Sequence, residues 1–328
     1  MTYERIGPIE IVTGENNSHV PFSTSLLIHG KDEDALIDCG GGETAFRYLQ
    51  QQNIQALFMT HYHIDHVWGA YLFPNARKAI NEIDVKKIND PIELAKAGGR
   101  FALLGEDGAK KEIEQQLKKS DDGTLKPRWA QVIGLTQDSY AYEKEIEAAG
   151  TKMIMLHTPG HTEGYCTPYF PEHGVLFVGD FDLTSFGPWY NDADSDIDAF
   201  FKSAERTLDV DAETFVTAHH KGTYSRQAYR ERLHTYMNKI REREEKTKIA
   251  VQNGVHPKDI VYEEIFYFRK NHRATPRLLG SEIIGIAKHL EHLIKAGLPF
   301  KDYFHEFCAY HGLHAEWLNY KKADAKSR

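Results

Sequence analysis

Thr60-His61-Tyr62-His63-Ile64-Asp65-His66 decides how this sequence is read. Three imidazoles and a carboxylate fall within six residues, directly after the apolar run Ile54–Met59. Nitrogen and oxygen donors of this kind suit Zn²⁺, and also Fe, Mn or Co. His61 and His63 are two apart, so in an extended loop both point to one side. Asp65 and His66 are adjacent and sit at an expected helix start, so they point elsewhere. Two neighbouring metal ions need that division. A single histidine is usually a solvated or hydrogen-bonded side chain; a seven-residue cluster closing a strand is not explained that way, and strand ends are where α/β folds place their sites.

Further strand ends supply more donors. His161 follows Thr158-Pro159-Gly160, where a tight turn fixes its direction. Asp180 closes Phe177-Val178-Gly179-Asp180, and His219 closes Phe215-Val216-Thr217-Ala218-His219. Each is weak alone; their shared position after short apolar strands gives them weight together. His220 stands beside His219 as an alternative ligand or a neighbour supporting it.

Outward from these motifs the chain alternates. Ile9–Val12, Ser23–His29 and Ala35–Ile37 read as strands, the last two as a hairpin around a polar turn. Glu43–Gln51 reads as a helix, Met153–His157 as a strand, and Tyr169-Phe170 with Val175–Val178 as a second hairpin. Ile197–Leu208 is an amphipathic helix and Thr214–Thr217 a short strand. Residues 76–148 are charged and broken by Pro91, Gly98-Gly99 and Asp121-Asp122-Gly123, so a mostly helical insert is expected there. From about Arg226 the pattern is helical, with helices expected through Arg241–Glu245, at Lys258–Lys270 and at Ser281–Ala296. The expected division is a catalytic body over 1–225, carrying the insert, and a helical extension over 226–328.

Composition narrows the class. The chain has 328 residues, 18 His and only 3 Cys, with a net charge of -8. Three scattered cysteines make neither a disulfide scaffold nor a Cys-rich zinc module, and they fit a reducing, cytoplasmic setting. The acidic balance disfavours phosphate backbones, so no nucleic-acid partner is expected. No apolar stretch is long enough to span a bilayer, and the first residues lack a signal-peptide pattern.

The ordered set HxHxDH at His61–His66, TPGHT at Thr158–Thr162, VGD at Val178–Asp180 and the late His219 resembles the metallo-β-lactamase superfamily. Leu36-Ile37-Asp38 also matches that family's early strand ending in Asp. The resemblance runs from about residue 7 to 225. It implies an α/β, four-layer αββα sandwich with the site at one edge, followed here by a small helical region with a winged-helix look. Carried over by motif, His61, His63 and His161 hold one metal. Asp65, His66 and His219 hold a second, and Asp180 bridges them. With all seven present the chain resembles the dinuclear branch typified by glyoxalase II and acyl-homoserine lactonases. Two divalent ions, Zn²⁺ before Fe or Mn, are the implied cofactors, and a small molecule is the implied partner.

The implied chemistry is hydrolysis of a small ester, lactone or thioester. The ions lower the pKa of a bridging water from about 15.7 toward about 7. Asp65 is the expected catalytic carboxylate, and Asp38 is expected to hold a ligand histidine in its tautomer. Tyr62, Tyr165, Tyr190 and Tyr224 lie near motif loops as candidate substrate contacts. The alternatives are a mononuclear non-haem iron oxidoreductase like the persulfide dioxygenases and, less favoured for want of a basic groove, a phosphodiesterase or nuclease. Two departures stand out: the last His lies in Ala218-His219-His220 rather than a GHG-like turn, and the cluster continues as Val67-Trp68-Gly69-Ala70 rather than xGG. Trp68 is either a pocket wall or a core aromatic. The insert and the tail are open to capping the pocket or to homodimerisation.

Overall fold

The structure is a computed structural model that describes residues 3–118, 125–136, 138–220, 222–269 and 275–319. Asp121-Asp122-Gly123, expected as a helix breaker, lies outside the described residues.

Two mixed sheets face one another. The first runs β1 (Tyr3–Ile6), β2 (Ile9–Val12), β3 (Ser25–His29), β4 (Asp34–Ile37), β5 (Ile54–Met59), β6 (Arg77–Asn81) and β7 (Asp138–Tyr140) in that spatial order. Pairing is antiparallel through β4 and parallel from β4 to β7. The second sheet runs β13 (Gly222–Ser225), β12 (Thr214–Thr217), β11 (Val175–Gly179), β10 (Cys166–Phe170), β9 (Thr151–His157) and β8 (Glu145–Ala148). There only β11 and β12 run parallel.

Period-two alternation explains the layers. Leu26, Ile28, Ile37 and Phe58 face inward and meet Met153, Met155, Phe177 and Val216 of the second sheet. Their neighbours Leu27, Leu36, Leu57 and Met59 face outward, under Phe46 and Leu49 of α1 (Glu43–Leu49). Leu176, Val178 and Phe215 face outward from the second sheet. They pack on Phe200 of α6 (Ile197–Asp209) and on Tyr229 and Leu233 of α7 (Arg226–Gln252). Strands buried on both faces read as continuous apolar runs, which is why β5 and β11 stand out in the sequence.

The helical insert is shorter than expected. Among the described residues of 76–148 only α3 (Asp84–Asn89), α4 (Pro91–Ala97) and α5 (Arg100–Leu117) are α-helical, after the four-residue α2 (Ile64–Val67) that carries Asp65 and His66. Arg77–Asn81 and Asp138–Tyr140 extend the first sheet and Glu145–Ala148 edges the second. Lys78 hid β6: its stem is buried while Nζ donates to the carbonyls of Phe73 and Ala76.

After Ser225 the chain is helical: α7, α8 (Pro276–Lys295) and α9 (Lys301–His311). No strand follows β13 among the described residues, so the winged-helix look rests on helices alone. Of the helix expected at Lys258–Lys270, whose last residue lies outside the described residues, 258–268 form one 3-10 turn at Ile260–Tyr262 and an irregular stretch. There the N–H groups of Phe266 and Tyr267 donate to the Glu282 carboxylate on α8, at 3.1 and 2.9 Å. Backbone donors given to a distant carboxylate are not available to an i−4 carbonyl.

Trp68 is a core residue. It is buried against Phe46, and its indole N–H donates to the Gly40 carbonyl at 3.1 Å.

Candidate metal centre

Five strand ends converge at one edge of the sandwich: β4 before Asp38, β5 before His61, β9 before Thr158, β11 before Asp180 and β12 before His219. They bring together all seven residues singled out in the sequence. His61, His63, His161 and Asp180 each offer one donor atom, and these four atoms lie within 4.8 Å of one another. Asp65, His66 and His219 form a second such group. The Asp180 carboxylate spans the two. Its Oδ2 lies 2.7 Å from His161 Nε2 and 3.5 Å from His61 Nε2, and its Oδ1 lies 3.1 Å from His66 Nε2 and 3.4 Å from His219 Nε2.

The local backbone makes this convergence possible. Asp38 sits in the left-handed region at φ 55, a position that Asp tolerates better than most residues. Gly40 passes so close to the main chain of Asp65 that a Cβ would stand 1.5 Å from that carbonyl oxygen. Gly160, at φ 134, turns the chain into His161 against α6, and a Cβ there would meet the Phe200 Cα at 2.3 Å. Gly160→Ala is therefore expected to destabilise the fold by about 2 kcal/mol or more. Denaturant titration checks this, and an unchanged midpoint would contradict it.

Each histidine shows one ring nitrogen to the cluster and gives the other to an oxygen. His161 Nδ1 donates to the Trp189 carbonyl at 2.8 Å. His219 Nδ1 donates to the carbonyls of Ser18 and Phe22, both at 3.0 Å. His66 Nδ1 donates to Asp38 Oδ2 at 2.8 Å, and His63 Nε2 to Asp192 Oδ2 at 2.8 Å. Thr60 Oγ1 donates to Asp38 Oδ2, so it accepts from His61 Nδ1 at 3.0 Å. Carbonyls and carboxylates only accept, so every outer nitrogen carries the proton in the neutral ring and every inner one presents a lone pair.

Such convergence costs free energy unless a cation lies within it. His61 Nε2, His66 Nε2 and Asp180 Oδ1 are buried without a hydrogen-bond partner. Burial, then the His66 and His63 rings, holds His61 well below the ordinary imidazole range. Burial also opposes charge on His66, His161 and His219, yet neighbouring carboxylates, Asp180 foremost, outweigh it. All three are raised, His219 to about 9. Burial likewise works against ionised Asp180, but His66 and His161 hold its carboxyl well below its usual value. Buried lone pairs in a negative local field suit divalent cations with N and O ligands.

His220 is not in the cluster. It takes a left-handed φ of 59, and its ring lies edge-on to His19 at 3.8 Å. The tyrosines expected near substrate are otherwise engaged. Tyr62 OH donates to Asp192 and Asp194, and Tyr190 OH shares a hydrogen bond with His289. Tyr165 OH donates to the Val178 carbonyl and accepts from Asp180 N–H. All three are buried. Tyr224, on β13, stacks under Arg232.

Apart from Tyr190, sequence reading missed the loop 186–195. Asp192 orients His63, Trp189 orients His161 through its carbonyl, and the Trp189 ring stands 5.4 Å from that of His63. Behind Asp192 lies Lys87, fully buried, with Nζ 2.8 Å from Asp194, 2.9 Å from Asp84 and 3.6 Å from Glu163. The acidic run Asp192-Ala193-Asp194-Ser195-Asp196 was the available signal.

The sequence profile of the metallo-β-lactamase superfamily matches residues 20–219. A hydroxyacylglutathione hydrolase of Bartonella henselae is 27% identical over 227 residues, 67% of this chain and 71% of that protein. A hydroxyacylglutathione hydrolase of Vibrio cholerae is 25% identical over 237 residues, 69% and 73% of the two chains. Among solved structures, a metallo-β-lactamase family protein from Thermus thermophilus superposes with a TM-score of 0.61 at 21% identity, covering 88% of this chain and 94% of its own. A β-lactamase domain protein from Burkholderia ambifaria gives 0.61 at 16% identity, covering 90% and 88%. The profile spans more than half of the chain and takes in the clustered residues from His61 to His219, and so the chain belongs to the metallo-β-lactamase superfamily and is one of its hydrolases.

Proposed function

We propose that this chain is a dinuclear metallo-hydrolase that cleaves a small thioester, ester or lactone, with a thioester first in order. The thioester is placed first because the two relatives above are named hydroxyacylglutathione hydrolases. The observation that carries the dinuclear reading is Asp180, whose two oxygens face two separate groups of donors. His61, His63 and His161 would hold one ion and Asp65, His66 and His219 the other, with the Asp180 carboxylate available to both. Zn²⁺ fits this donor set, as do Fe and Mn. The working division is a catalytic body over 1–225 and a helical extension over 226–328.

Bound ions would supply Lewis acidity and a water acidic enough to react near neutral pH. The protein's own groups do the rest. Asp65 has the most exposed side chain of the seven at 18%, with His63 next at 14%. This side of the cluster is where substrate arrives. The Asp65 carboxylate orients the attacking water and takes its proton. Asp38 and Thr60 fix His66 and His61, and Asp192 fixes His63, so the lone pairs need no reorganisation when charge develops. A second complete donor group favours this reading over a mononuclear iron oxidoreductase.

A panel of thioesters, lactones, phosphoesters and a persulfide, assayed on the zinc-loaded protein, tests the proposal. Acyl cleavage with kcat/KM on the order of 10⁴ M⁻¹s⁻¹ or higher is expected for one acyl class. Oxygen consumption with a persulfide and one iron per chain, without acyl cleavage, would overturn it. His220→Ala is expected to leave both ions in place, because that ring points away from the cluster; loss of an ion on elemental analysis would move the ligand assignment from His219 to His220.

A further inference from the structure

We infer that the C-terminal helical region is a working part of the metal centre, with Arg243 a positioning residue for His161 and His63. The inference rests on the metal-ligand reading above and assigns the region after Ser225 a role in it.

His161 and His63 are both oriented by one loop. Trp189 accepts from His161 through its carbonyl, Asp192 accepts from His63, and Ser195 Oγ donates to the His161 carbonyl at 2.7 Å. Asp192 and Asp194 are held from the body by Tyr62 and Lys87, whereas the stretch from Phe186 to Tyr190 is gripped from beyond residue 225. Arg243, on α7, is buried, and the carboxylate its charge acts on is Glu282 of α8. Its guanidinium forks onto two main-chain carbonyls, Nη1 donating to Pro188 at 2.5 Å and Nη2 to Phe186. It also lies over the rings of Phe186, Tyr190 and Phe266, at 4.6, 5.6 and 4.4 Å from their centres. Tyr267 OH accepts from Trp189 Nε1 at 3.2 Å, on the residue whose carbonyl holds His161. Glu282 pins Phe266 and Tyr267 by their N–H groups.

The contact is close as well as polar. A Cβ on Gly285 would stand 2.5 Å from the Phe266 ring and 3.0 Å from Asn191 Oδ1. Lys288 Nζ, buried, donates to the Ser195 carbonyl at 2.7 Å. A planar fork on two carbonyls two residues apart fixes a loop in translation and rotation, which a lysine ammonium cannot do. A buried guanidinium with carbonyl and ring partners is also costly to desolvate, so its placement calls for a return. That return is on the first donor group alone. His66 and His219 are oriented by Asp38, Ser18 and Phe22, and none of these three is hydrogen-bonded to the loop among the described residues.

The test is Arg243→Lys in the full chain, titrated with zinc against a competing chelator, with unfolding followed in parallel. Wild type is expected to bind two ions. The variant is expected to bind one of them roughly tenfold or more weakly, the range seen when groups behind metal ligands are removed, while the other keeps its affinity. General loosening of the fold would weaken both alike and would overturn the inference. If wild type binds two ions and the variant binds both unchanged, the inference fails and the metal reading stands; if wild type binds none, both fail. Should Arg243→Lys not fold, Tyr267→Phe decides. It removes the hydroxyl that accepts from the Trp189 indole and that also bonds to Ser281, and the same one-sided loss, a few-fold, is expected; unchanged affinities there would overturn the inference.

Discussion

Asp180→Asn is expected to lower turnover on the order of 10³-fold, equivalent to about 4 kcal/mol of lost transition-state stabilisation, and to leave the protein with fewer than two ions. Among the described residues the carboxylate is the one group whose oxygens meet both donor groups, Oδ2 toward His61 and His161 and Oδ1 toward His66 and His219. A carboxamide keeps the shape but halves the oxygen donors, and its NH₂ faces imidazole lone pairs. It also removes the charge that raises His66, His161 and His219. Elemental analysis and a turnover assay on folded variant check this together. Two ions per chain with near-normal kcat would refute the bridging role.

Lys87→Met is expected to cost about 3–5 kcal/mol of stability, the penalty for leaving buried charge without its counterion. The ammonium is fully buried beside Asp84, Asp194 and Glu163, and burial alone would drive its pKa down. Asp194, Asp84 and Glu163 more than reverse that and hold it well above the usual lysine value. Deleting the charge strands those carboxylates in the interior. The damage also travels: Asp194 and Asp192 share the Tyr62 hydroxyl, and Asp192 holds His63. Urea denaturation checks the stability, with Lys110→Met as a control, because Lys110 pairs with Glu106 on the surface of α5 and its loss is expected to go unnoticed. Equal midpoints for the two variants would contradict the account.

These effects divide along what sequence can display. The cluster His61–His66 was legible because its donors are neighbours in the chain and the two-residue spacing translates directly into direction. His161, Asp180 and His219 were legible because short apolar strands announce their own ends. Asp38 was placed behind a histidine through the family resemblance of Leu36-Ile37-Asp38, and it closes β4, next to β5. Lys87 and Asp194 meet across 107 positions and His63 and Asp192 across 129, and no local pattern encodes such a meeting. The same reason explains the missing helix at Lys258–Lys270. Its aromatic spacing looks helical, but Glu282 claims the main-chain donors and Arg243 claims the Phe266 ring. Strand β6 was obscured by Arg77-Lys78, since a buried lysine stem with its ammonium on carbonyls carries a charged letter on an interior strand.

The most direct test is the metal content of the full wild-type chain, purified without added chelator and reconstituted with zinc, read by elemental analysis against protein concentration. The account predicts two ions per chain, falling to one when Asp65, His66 or His219 is replaced. A wild-type chain that saturates at one ion, or that keeps two after His219→Ala, would contradict it.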